Sequence, residues 1–69
     1  MEELTKMQKL LIELLQAFGV EKDMIVAVLL MVNTDEQIAE LNEFLDRNRK
    51  ATQDEIMEEA LRINEEMPE

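Results

Sequence analysis

Cysteine, histidine, serine, tryptophan and tyrosine are all missing from this chain, and glycine and proline occur once each. Each absence closes off a class of chemistry. Without cysteine no disulfide can staple a small fold, and without cysteine or histidine a structural zinc site is excluded. Nucleophilic catalysis has no serine or cysteine to act and no histidine to serve as base. The side-chain hydroxyls are those of Thr5, Thr34 and Thr52. A single glycine, Gly19, cannot build a phosphate-cradling loop. The expectation is a protein with no catalytic residues and no cofactor, which acts by binding.

Aromatic residues are scarce, with Phe18 and Phe44 alone, so Leu, Ile, Val and six Met must supply the core. Methionine suits irregular gaps and adaptable binding surfaces alike. Long apolar runs are also lacking. The longest, Met24 to Val32, has nine residues, against the roughly 20 that span a bilayer. The first residues, from Met1 to Lys6, have neither the basic region nor the apolar stretch of a secretory signal. The expected location is the cytoplasm, with no membrane contact.

What the chain has in excess is negative charge: 17 acids against 7 bases, a net charge of −10. Residues 1–33 hold five acids and three bases, or −2; residues 34–69 hold twelve acids and four bases, or −8. Such a field keeps the chain in solution, repels nucleic acid and anionic membranes, and attracts a basic protein partner. At 69 residues the chain is one domain, and a domain of that size buries only roughly 60% of the surface exposed when unfolded. An efficient helical core or self-assembly must make up the difference.

The first segment, from about Glu2 to Phe18, repeats Leu4, Met7, Leu11, Leu14 and Phe18 at the helical period, and Leu10, Leu15 and Ala17 widen that stripe. Gly19 follows as a left-handed stop, and Val20 supplies the apolar contact that accompanies such a cap. Glu21-Lys22-Asp23 opens a second segment whose run Met24–Val32 is apolar on every face. Its β-branched residues make a buried strand the rival reading, but no other segment offers a strand to pair with it. A helix that is apolar all round has to be enclosed all round. Three short companions are too few to do that, so the segment predicts a homo-oligomer.

Thr34-Asp35-Glu36-Gln37 is a capping box. It starts a helix that buries Ile38, Leu41, Phe44 and Leu45. Arg47-Asn48-Arg49-Lys50 is a polar connector. A second box, Thr52-Gln53-Asp54-Glu55, starts a last helix with Ile56, Ala60, Ile63 and Met67 inward and Met57 and Leu61 on its flanks, ended by Pro68.

Acids at helical spacing (Glu36, Glu40 and Glu43; Asp54 and Glu58; Glu55 and Glu59) read as solvated faces, since no calcium loop or metal-binding histidine accompanies them. The last two helices invite comparison with a helix-turn-helix. In that reading Arg47, Arg49 and Lys50 contact a polyanion and Gln53 stands near the start of a recognition helix. Asp54, Glu55, Glu58 and Glu59 on the same helix oppose it. A small protein with an acidic half has the general look of phage-encoded inhibitors and antitoxin-like regulators, an analogy of composition with no motif behind it.

The predicted architecture is all-α: a compact bundle of four short helices at about 2–18, 21–33, 34–48 and 52–67. Successive helices are neighbours, and the second is central, packed against the other three and against its copy in a dimer. The self-interface is expected at Leu10, Leu15, Met24, Val28 and Met31. The function expected is that of a small acidic protein-interaction module, a bacterial or phage regulator. A nucleic-acid-associated regulator and a structural subunit of a larger assembly are the competing classes.

Overall fold

Three of the four helices begin at the same chemical device. In the computed structural model, which describes residues 5–67, Thr5, Thr34 and Thr52 each cap a helix. Their hydroxyls accept from the backbone N–H groups of Gln8, Gln37 and Glu55 at 3.1, 3.1 and 3.2 Å. The side chains of Gln8, Gln37 and Glu55 reach back to the threonine N–H groups at 2.8, 3.1 and 2.9 Å. Each reciprocal pair satisfies two backbone donors that a helix start leaves orphaned. The helices are α1 (Lys6–Ala17), α2 (Lys22–Met31), α3 (Asp35–Arg47) and α4 (Gln53–Glu66).

The expected start of the first helix at Glu2 is corrected to Lys6. Thr5-Lys6-Met7-Gln8 is a third capping box, and Thr5 has extended backbone (φ −71°, ψ 166°) that no helix passes through. Residues 1–4, with Leu4, and residues 68–69, with Pro68, lie outside the described residues. At the other end of α1 the expected stop is present. Gly19 sits at φ 80°, its N–H donates to the Gln16 carbonyl and that of Val20 to Leu15, both at 3.0 Å. Val20 is buried behind this cap.

The second segment is a helix and not a strand; no strand occurs among the described residues. The core closes within one chain. Leu11 and Leu15 of α1, Ile25 and Val28 of α2, Ile38, Leu41 and Leu45 of α3, and Ile56, Ala60 and Ile63 of α4 are buried, with Val20 and Val32 from the connections. Phe44, expected inside, is half-buried at the edge, as are Met57 and Met67.

The arrangement departs from the expected one in a way that matters for function. α1 packs on α2 and α3, and α4 packs on α2 and α3, but α2 does not pack on α3. The two sit on opposite corners, although only Val32, Asn33 and Thr34 separate them in sequence. The Glu21 N–H donates to Gln53 Oε1 at 2.8 Å, so α2 and α4 start at the same end. α2 therefore has two helical neighbours and not three, and its remaining side is open.

Candidate interaction surface

That open side is apolar. Lys22, Val26 and Leu30 fall on one stripe of α2 at spacings of four. Its two apolar residues are exposed, Val26 by 53% and Leu30 by 75%. No charged residue occurs between Asp23 and Asp35. Among the described residues Leu30 is the most exposed large apolar side chain. An isolated surface leucine is unremarkable; two on consecutive turns, in the longest uncharged stretch of an acidic chain, form a patch of the kind found at contact surfaces.

The residues expected at the self-interface differ in exposure. Val28 and Leu15 are fully enclosed in the core of a single chain, so neither can meet a partner. Met24 and Met31 are partly buried against that core, and Leu10 is on the surface, 57% exposed, but on α1. Val26 and Leu30 are hidden from a periodicity argument because every position from Met24 to Val32 is apolar and the helical period has nothing to modulate. The usable signal lies just before the run. Lys22 is charged and shares the stripe of Val26 and Leu30, which marks that stripe as the outward one.

A second apolar surface lies between α1 and α3. A hollow of about 300 Å³ is lined by Leu14, Phe18, Asn42, Leu45, Asp46 and Arg49. A shallower one of about 370 Å³ is lined by Leu10, Glu13, Leu14, Ala17 and Asn42. Leu14 and Asn42 line both, so the two hollows are adjacent. Asn42 Oδ1 is enclosed and accepts no hydrogen bond. A buried acceptor left without a donor costs about 1–3 kcal/mol.

The basic connector is exposed at Arg47, Arg49 and Lys50. Arg49 is paired with Asp46 at 3.0 Å, an exposed pair of small energetic weight. Gln53, placed at the start of a recognition helix in the helix-turn-helix reading, is instead half-buried and accepts the Glu21 N–H. Its amide oxygen is thus committed to holding α2 against α4. On α4, Arg62 pairs with Glu59 and with Glu66, the latter at 2.8 Å. The Glu59 hydrogen bond first, then that of Glu66, raises the guanidinium pKa above its ordinary value. These contacts occupy two of the charges flanking the exposed Leu61, Arg62 and Glu66.

No group of three or more acids converges into a cation-binding arrangement among the described residues. No helix among them is long and apolar enough to cross a membrane. Comparison with protein families, with curated proteins and with solved structures finds no match.

Proposed function

We propose that this chain is a small protein-interaction module that self-associates as a dimer through the outward face of α2, in the manner of an acidic regulatory protein. The observation that carries the reading is the exposure of Leu30 and Val26 on a helix free of charge from Met24 to Met31. Every other helix carries charges on its outward side, and with −10 on each copy those sides repel one another. The α2 stripe is where two copies can approach with least repulsion and bury apolar surface, each buried methylene contributing about 0.8 kcal/mol.

Catalysis finds no support in the residue types present, and the Gln53 oxygen already committed to the Glu21 N–H, together with the acids of α4, weighs against reading duplex DNA. A cytoplasmic site of action fits the lack of membrane-crossing helices among the described residues. The test is absolute mass by light scattering over a hundredfold dilution series, for the native chain and for Leu30→Asp. The expected result is a dimer for the native chain that dissociates on dilution, and a folded monomer for the variant. A native chain that stays monomeric throughout would overturn the reading.

A further inference from the structure

The two ends of α2 are chemically unlike, and each lacks a partner within the chain. In the first turn stands Lys22, on the stripe of Val26 and Leu30. It makes no ion pair among the described residues, and a cation there faces the positive end of its own helix dipole. The last turn of α2 holds no basic residue. A continuing helix would direct the Asn33 and Thr34 N–H groups at the Leu29 and Leu30 carbonyls. Both donate to Gln37 Oε1 instead. Among the described residues no backbone N–H donates to either carbonyl.

An unpaired cation at one end and a carbonyl end without a cation at the other complement each other between two helices that run in opposite directions. A two-fold axis crossing α2 at the level of Val28 brings Val26 of each copy opposite Leu30 of the other. Lys22 is six residues from that level, about 9 Å along the helix. It then lies beside the end of the other copy's α2, and its flexible four-carbon stem carries the ammonium to the carbonyls there. Asp23, next to the stripe, meets the stretch from Leu29 to Thr34, which has no charge. A parallel pair would instead set Lys22 against Lys22 and Asp23 against Asp23, with the two dipoles aligned in the same sense, and every one of these terms is repulsive.

We propose, resting on the dimer reading above, that two copies pair antiparallel through α2 and that Lys22 of each caps the carbonyl end of the other copy's α2. The cap is built in trans, and neither chain completes it alone.

The chain has no cysteine, so introduced cysteines report the contact without background. Whole chains carrying Val26→Cys and Leu30→Cys are mixed in equal amounts in a glutathione redox buffer, and the disulfide-linked species are identified by mass. The expected product joins the two different chains, well above the proportion that random pairing gives. Linkage of like chains would mean a parallel pair or a displaced axis; it would overturn the proposal and leave the dimer standing. A native chain that is monomeric by light scattering, with no disulfide formed in the mixture, would remove both. Lys22→Met should weaken the dimer about tenfold through the loss of two caps. Lys50→Met in the connector, with the same change in net charge, should leave it unchanged. In a parallel pair Lys22→Met would relieve repulsion, so a dimer of unchanged or greater affinity in that variant would also overturn the proposal.

Discussion

The side-chain amide of Gln37 donates to the backbone carbonyl of Met67 at 2.5 Å, joining the first turn of α3 to the end of α4 across thirty residues of sequence. The same amide's oxygen accepts from the Asn33 and Thr34 N–H groups at 3.0 and 3.1 Å. Gln37 is the one buried polar residue among those described. It satisfies three backbone groups at once, at the end of the bundle where the chain crosses from α2 to α3.

Replacing Gln37 should therefore cost more than an ordinary cap. Gln37→Ala leaves a carbonyl and two N–H groups without their partner, and the expected loss is about 2–3 kcal/mol in urea unfolding followed by circular dichroism. Gln37→Glu keeps the oxygens that cap α3 but turns an acceptor toward the Met67 carbonyl. It should be destabilised as well, and the two variants together separate the cap from the bond to α4. A loss below about 0.5 kcal/mol for both would mean the hub is not formed.

Val28 and Leu30, two residues apart on α2, should respond in opposite ways to the same change. Val28→Asp places an unpaired carboxylate in a site with no exposure and should unfold the chain. Leu30→Asp adds charge to a side chain already 75% exposed and, at dilutions where the native chain is monomeric, should leave helicity and melting temperature close to native. Circular dichroism melts of the two variants check this; similar melts would contradict the placement of α2.

Asn42→Leu should stabilise the isolated chain. It removes the enclosed oxygen that has no donor and adds apolar volume beside Leu14 and Leu45, for an expected gain of about 1 kcal/mol. Chemical unfolding measures it directly. A destabilised variant would mean that Asn42 is already satisfied in solution.

Gly19→Ala should cost about 1 kcal/mol. The added methyl meets nothing within 4 Å, so the whole effect comes from holding a residue with a Cβ at φ 80°. Thr5→Ala should cost a similar amount, about 1 kcal/mol, through loss of the α1 cap. Additivity of the two, measured in the double variant by urea unfolding, is expected because they act at opposite ends of α1.

Local signals were legible to the extent that their physics is local. The boxes at Thr34 and Thr52 and the stop at Gly19 depend on residues within three or four positions, and each stands where the residues place it. The box at Thr5 has the same pattern but precedes a stripe that Leu4 extends backwards, and periodicity alone carries the helix past its cap. The exposed face of α2 was not legible in this way. In the run from Met24 to Val32 no residue differs enough from its neighbours to tell inside from outside, so Val28 and Leu30 are equivalent as sequence and opposite as structure.

The sequence by itself determined the helical class, three of the helix stops and starts, the acidic balance and the absence of cysteine, histidine, serine and tyrosine, because each follows from residue type and short spacing. Tertiary structure alone decided which helices touch. The crossing from α2 to the opposite corner at α3 is set by how two helical hairpins close on a shared core and by pairings as remote as Glu21 with Gln53 and Gln37 with Met67. That crossing leaves α2 with two neighbours, exposes Val26 and Leu30, and sets α1 beside α3 to form the hollows at Asn42. Such placements depend on contacts between residues distant in the chain, and no local pattern encodes them.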